Sequence, residues 1–336
     1  MSQRPLGRSG LSIAPLVFGG NVFGWTADEA TSFRLIDAFV DGGFDAIDTA
    51  DAYSVWVPGH EGGESETVIG RWLAAGGRRD RIKILTKVAK SPKRPGLSAA
   101  NIIAALEDSL RRLNTDHVDL YQSHEDDAAT PQDETLEAFD RLVKAGKVRA
   151  IGASNFSVDR LDASLKTSAD KGLVRYESIQ PKFNLYDRDE VEGPLADLAA
   201  REGIGIIPFY GLAAGFLTGK YRSEADLEGK ARGRTVARDY LNEKGFRVLA
   251  ALDEAAEATG ATQAQIALAW IVAHPAITAP IASATSVAQL EELLAGVRLT
   301  LPPEVIATLD AAGGSRQARR QRLHLVEINS QLRGRR

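Results

Sequence analysis

Eight short apolar runs, most of them closed by a polar residue or glycine, alternate with helical patterns along this chain. That alternation narrows the fold to a largely parallel sheet covered by helices. Pro15-Leu16-Val17-Phe18-Gly19-Gly20 predicts the first strand. A helix over 28–40 follows, in which Phe33, Leu35, Ile36 and Phe39 recur at helical spacing until Gly42 and Gly43 stop it. The unit then repeats. Further strands are predicted from Phe44 towards Asp48 and over 82–85, 118–121, 148–151, 177–179, 204–207 and 278–281. Helices are predicted over 64–75, 98–113, 131–145, 158–169, 194–201 and 245–258.

Strand ends fall roughly 25–40 residues apart, the pitch at which about 250 residues close an eightfold parallel barrel. An open doubly wound sheet shows the same alternation. Against it, no Gly-x-Gly-x-x-Gly follows the first strand, and polar residues close nearly every strand rather than meeting at one crevice. The expected fold is therefore α/β, a (β/α)8 TIM barrel with a short N-terminal β-hairpin over 3–14 and a C-terminal helical extension. With no linker or shift in composition, residues 1–312 read as one barrel domain and 313–336 as an arginine-rich tail, where Leu323, Leu325, Val326 and Ile328 are the residues able to dock. Residues 221–240, rich in charge and glycine, read as a long loop after the seventh strand.

A net charge of −4 argues against nucleic acid or an anionic membrane as partner. The absence of cysteine excludes thiolate metal sites, disulfides and cysteine nucleophiles. Without a signal-like apolar core near the start or a long apolar run, a cytoplasmic location is expected.

The strand ends carry the chemistry. Asp48 closes the second predicted strand with Tyr53 five positions on; Lys87 closes the third and His124 the fourth. Ser154 and Asn155, then Gln180, then Phe209 and Tyr210 follow the later strands. In a barrel all of these face one mouth. A lysine beside a tyrosine favours the phenolate, a carboxylate holds that lysine, and a neutral histidine hydrogen-bonds a carbonyl oxygen. Such a set suits protonation of a carbonyl oxygen while a cofactor delivers hydride to its carbon. Trp25 and Trp56, on the loops after the first two strands, are candidates to wall an apolar substrate cleft. Other motifs fail: Gly215-Phe216-Leu217-Thr218-Gly219-Lys220-Tyr221 is one residue short of a P-loop, and His124-Glu125-Asp126-Asp127 has no histidine-rich partner segment, so no metal is expected.

Together, Asp48-Thr49-Ala50-Asp51-Ala52-Tyr53, Thr86-Lys87-Val88, His124, Gly152-Ala153-Ser154-Asn155-Phe156, Gln180-Pro181-Lys182-Phe183-Asn184 and the Gly215–Tyr221 run resemble the aldo-keto reductase superfamily. Gly62-Gly63-Glu64-Ser65-Glu66-Thr67 resembles its bacterial branch. The resemblance implies NAD(P)H-dependent, reversible reduction of aldehydes or ketones to alcohols. Tyr53 would be the general acid/base, Lys87 and Asp48 would lower its pKa, and His124 would orient the carbonyl. Ser154, Asn155 and Gln180 would hold the nicotinamide carboxamide and Phe209 would stack on the ring. Tyr210, Gly211, Leu212, Gly215, Leu217, Gly219 and Lys220 would line the cofactor cleft. Ser283, Thr285 and Gln289 would meet the adenosine end. Where the family often has an arginine for the 2′-phosphate, this chain reads Ser283-Ala284-Thr285-Ser286-Val287. NADP(H) is favoured on Lys220 and family habit, with NAD(H) possible. Monomer and homo-oligomer both stay open. Two alternatives stand beside this reading: a barrel enzyme using Lys87 as a Schiff-base nucleophile, and a non-catalytic cofactor-binding subunit.

Overall fold

The computed structural model describes residues 2–314. The chain's hydrophobic residues separate into two clusters, and that separation defines the architecture. The smaller holds Leu6, Ile13, Val17, Ala46, Leu85, Leu120, Ala150, Ile207, Ala279 and Ile281. The larger holds the alternate residues of the same strands, such as Phe18, Ile47, Ile84, Tyr121, Ile151 and Ile206, together with the helices. Side chains two apart on a strand share a face, so one cluster fills the inside of a curled sheet and the other glues helices to its outside.

The barrel strands are β1 (Val17–Gly19), β2 (Ala46–Asp48), β3 (Lys83–Val88), β4 (Val118–Ser123), β5 (Val148–Ser154), β6 (Tyr176–Gln180), β7 (Gly205–Ile206) and β8 (Ile281–Ala282). From β1 to β7 each strand pairs in parallel with the next, and β8 pairs with β1 through Ile281 opposite Val17. Closure comes from the segment before β8. There Thr278 and Ile281 donate to Ile206 O and Pro208 O, both at 2.8 Å, while Val17 N donates to Pro280 O at 2.9 Å on the other side. The expected eightfold parallel barrel is what the chain forms.

The helices are α1 (Glu29–Asp41), α2 (Glu64–Ala74), α3 (Ala99–Leu113), α4 (Gln132–Lys144), α5 (Val158–Lys171), α6 (Pro194–Glu202), α7 (Gly233–Asp239), α8 (Glu243–Thr259), α9 (Gln263–Val272), α10 (Val287–Arg298) and α11 (Pro303–Gly313). Asp28, Ser98, Ser157 and Ser286 cap their helices by accepting the N–H three residues on, at the starts of α1, α3, α5 and α10. At the opposite end of the barrel from the site, the hairpin of Arg4–Pro5 and Ser12–Ile13 plugs the sheet with Leu6 and Ile13. Its turn fits because Gly7, at φ +63°, lies against the Glu177 carbonyl where any Cβ would clash.

Three expectations need correction. The strand expected over 278–281 falls at Ile281–Ala282, because Pro280 has no N–H for a ladder. Residues 221–240 are not one loop: a 3₁₀ turn, Glu224–Leu227, is capped reciprocally by Ser223 and Asp226, and α7 follows. Leu227, Val236 and Tyr240 anchor that segment in the core. The sequence reading also lacks α9, whose start is a Thr262/Gln265 capping box. Buried on nearly all sides, α9 shows no polar face for periodicity to reveal. Of the arginine-rich tail over 313–336, Gly313 ends α11 and Gly314 follows it; the rest, with Leu323, Leu325, Val326 and Ile328, lies outside the described residues.

Candidate active site

The inward-facing series that is apolar deep in the barrel becomes polar at the strands' C-terminal ends. Ala46 gives way to Asp48, Leu85 to Lys87, and Leu120 to Gln122. A carboxylate and an ammonium, both essentially excluded from solvent, therefore face each other: Lys87 Nζ donates to Asp48 Oδ2 at 2.6 Å. Burial of this kind holds only where every hydrogen-bonding position is filled. Lys87 Nζ also donates to Thr49 O at 2.9 Å and to Tyr53 Oη at 2.8 Å, and Tyr53 Oη donates to Asp48 Oδ2 at 2.8 Å. Phenol, ammonium and carboxylate thus close a triangle. Asp48 Oδ1 accepts from Gln180 Nε2 at 3.0 Å and from Gln122 Nε2 at 3.3 Å.

His124, just past β4, sets its ring 6.0 Å from that of Tyr53, edge to face. Its Nδ1 is buried and has no hydrogen-bond partner. Burial first, then the charges of Lys87 and Lys90, hold the imidazole well below its ordinary pKa, so it is neutral near pH 7. Tyr53 moves the other way. Burial and the Asp48 carboxylate push its phenol well above the usual value, although Lys87 touches it. That corrects the expectation that Lys87 and Asp48 together lower it: the carboxylate that fixes the ammonium also repels a phenolate. Burial lowers the pKa of Lys87, with Asp48 the largest influence holding its proton on.

Beside this group Ser154, Asn155 and Gln180 form a linked set. Ser154 Oγ donates to Gln180 O at 2.9 Å, and Asn155 Nδ2 donates to Ser154 Oγ at 3.1 Å and to His124 O at 2.8 Å. Asn155 sits at φ +55°, a left-handed conformation that asparagine tolerates. Phe209 and Tyr210 follow β7 with rings 5.6 Å apart, and Asn184 fixes the Tyr210 carbonyl at 2.9 Å. Gly211 is buried, and Leu212 packs against the core. Gly215 and Gly219 take positive φ in the turn over 213–218 and its cap, with the exposed Lys220 beside them. Leu217 is buried in the core, so only its backbone can face a ligand.

The groups near β8 are occupied by the protein itself. Ser283 Oγ lies 2.7 Å from the Asn21 amide, and both donors of Thr285 go to Gln289 Oε1, at 2.9 and 3.0 Å. On the open side, Trp25 and Trp56 meet edge to face at 5.5 Å, and Trp56 stands 6.1 Å from the Tyr53 ring with about half its surface exposed. Asp48, Tyr53 and Lys87 meet in one cluster with the His124 ring beside it, and Trp56 contacts both the Tyr53 ring and Trp25.

Comparison with known proteins gives the family. The model of the aldo/keto reductase family matches residues 15–313. The chain belongs to that family. It is 36% identical to the uncharacterized oxidoreductase YrpG of Bacillus subtilis (strain 168), over 92% of this chain and 95% of the relative. It is 31% identical to Protein tas of Escherichia coli (strain K12), over 93% and 97%. A probable voltage-gated potassium channel subunit beta of Oryza sativa subsp. japonica is 30% identical over 95% and 98%. This aldo-keto reductase is thus an oxidoreductase of an NAD(P)H-dependent family that acts on small carbonyl substrates. No helix among its described residues is long and apolar enough to cross a membrane.

Sequence reasoning missed Gln122, Glu66 and Asp51. Gln122 lies two residues before His124, and strand periodicity alone places it on the same inner face. Glu66 is fully buried on α2, where it accepts from Thr86 Oγ1 at 2.5 Å and Arg112 Nε at 2.7 Å. Nothing in spacing marks a helical glutamate as buried.

Proposed function

We propose that this aldo-keto reductase reversibly reduces aldehyde or ketone carbonyls to alcohols, with Tyr53 as general acid in reduction and general base in oxidation. The observation that carries this reading is the closed Tyr53–Lys87–Asp48 triangle, with the half-exposed Trp56 ring beside it. Bound NAD(P)H supplies the hydride. Tyr53 holds its proton firmly, donated to Asp48 when no substrate is bound, and would turn it to a carbonyl oxygen that binds beside it; Lys87 remains beside the oxygen that is left, where an ammonium steadies a phenolate. Neutral His124 orients the carbonyl oxygen from the other side. Both amide protons of Gln180 are engaged within the protein, by Asp48 and Gln122, so its amide oxygen is the atom that would accept from a nicotinamide carboxamide. Asn155 and Ser154 would complete that contact, and Phe209 would stack on the ring. The Gly215–Lys220 turn, permissive in backbone, would wrap the pyrophosphate.

The test is loss of reduced-nicotinamide absorbance with a panel of aldehydes and ketones. Turnover that scales with protein supports the reading. Nucleotide binding without consumption by any carbonyl would favour a non-catalytic subunit, and borohydride trapping of a carbonyl on Lys87 without nucleotide would favour Schiff-base chemistry.

Two finer expectations follow. NADP(H) is preferred, but weakly. Arg222 and Arg238 are engaged by Asp253 and Asp239, and Thr285 by Gln289; among the cations outside those pairs, Lys220 follows the Gly215–Gly219 turn directly and is the one proposed to meet a 2′-phosphate. Quenching of tryptophan fluorescence should give NADPH an advantage over NADH of about tenfold or less, removed by Lys220→Ala; tighter binding of NADH overturns it. Trp56→Ala should change stability by less than about 0.5 kcal/mol, because the ring is half exposed. The same change should raise KM several-fold for apolar carbonyls while small ones are spared.

A further inference from the structure

Three residues beyond Asp48, Asp51 carries a carboxyl that the proposed chemistry does not use. It is only 6% exposed, and neither oxygen has a hydrogen-bond partner. A buried carboxyl without partners costs stability, so its place needs a reason. Its backbone N–H donates to Lys87 O at 3.3 Å, which ties it to the strand that carries the ammonium. The charged and titratable groups that act on it or feel it are Glu66 on α2, Arg112 on α3, Lys87 on β3 and Tyr121 on β4. Arg112 is committed elsewhere, donating to Glu66 at 2.7 Å and to Ser109 at 3.2 Å. Of these two buried carboxyls, Glu66 takes the guanidinium's hydrogen bond and Asp51 has none.

We propose that Asp51 is a positioning residue that acts through Lys87, its charge state setting how readily Tyr53 exchanges a proton. The proposal rests on the reading of Tyr53 as general acid/base. Burial and then Glu66 push the Asp51 carboxyl up to about 8, against the pull of Arg112 and Lys87. Near pH 7 it is a neutral acid; in mild alkali it becomes a second negative charge acting on the ammonium. Lys87 is then less able to support a phenolate, and proton donation by Tyr53 to the carbonyl slows.

The sign for stability is opposite to that of a salt-bridged acid. The fold holds a proton that the unfolded chain releases above the ordinary carboxyl range, so stability is drawn down as pH rises from about 4 towards 8. Asp51→Asn should therefore raise Tm, and more so near pH 8 than near pH 5.

Rates are measured from about pH 6 to 9.5 for the full-length protein, Asp51→Asn and Asp51→Glu, with Tyr53→Phe as a control. The wild-type rate should fall roughly fivefold across an alkaline limb centred near pH 8 that Asp51→Asn lacks and Asp51→Glu restores. Coincident profiles for wild type and Asp51→Asn, with Tyr53→Phe inactive, overturn the proposal and leave the catalytic reading standing. An active Tyr53→Phe instead removes the catalytic reading beneath it. Infrared difference spectra of the wild type decide independently of how the variants fold: a protonated-carboxyl band present near pH 7 and gone near pH 9.5 is expected, and its absence contradicts the proposal.

Discussion

Tyr53→Phe is expected to lower kcat for carbonyl reduction by roughly 10²- to 10⁴-fold, the range lost when a positioned general acid is removed. Nucleotide affinity should stay nearly unchanged. The hydroxyl makes two contacts, with Asp48 and Lys87, and neither belongs to the Ser154–Asn155–Gln180 set. The ring would keep its edge contacts with His124 and Trp56, so the mouth keeps its shape. Steady-state absorbance gives the rate and tryptophan quenching gives the affinity. A variant that turns over at the wild-type rate assigns the acid elsewhere. A variant that loses nucleotide binding in proportion to its rate makes Tyr53 a structural residue.

Lys87→Met should be costly to the fold as well as to the chemistry. Asp48 and Lys87 are both sealed from water and share a 2.6 Å contact. Removing the cation strands a buried carboxylate, with a loss of about 3–5 kcal/mol. Gln122 and Gln180 still donate to Asp48 Oδ1 and soften that loss without neutralising the charge. Urea melts of Lys87→Met, Asp48→Asn and the double variant measure the coupling directly. The double variant should recover much of the stability and none of the activity. Additive losses would mean that the pair does not act as one unit.

How much of this was readable beforehand follows from periodicity. Barrel strands alternate between an apolar inner plug and the helix-facing core, and the helices β1 to β6 feed are amphipathic, so the strand–helix count was visible in the residues. The closing elements were not. Pro208 and Pro280 interrupt the last strands, and the apolar run of α9 reads equally as a buried strand or helix. Within the site, Asp48, Tyr53, Lys87 and His124 were legible because each follows or ends a strand on the same side. The direction of the Tyr53 shift was not, since it depends on how deeply the phenol is buried and on Asp48 lying as close to it as Lys87. Asp51 escaped notice for a related reason: the six residues from Asp48 to Tyr53 include two acids, and only the fold shows which one the lysine takes.

Rapid mixing of nucleotide-loaded protein with an aldehyde, followed at the reduced-nicotinamide band in light and heavy water, tests the proton transfer from Tyr53 most directly. In a single turnover, wild-type absorbance should decay quickly and more slowly in heavy water, while loaded Tyr53→Phe should decay at least about a hundredfold more slowly. Equal decays for the two proteins would contradict the assignment of Tyr53 as the proton donor.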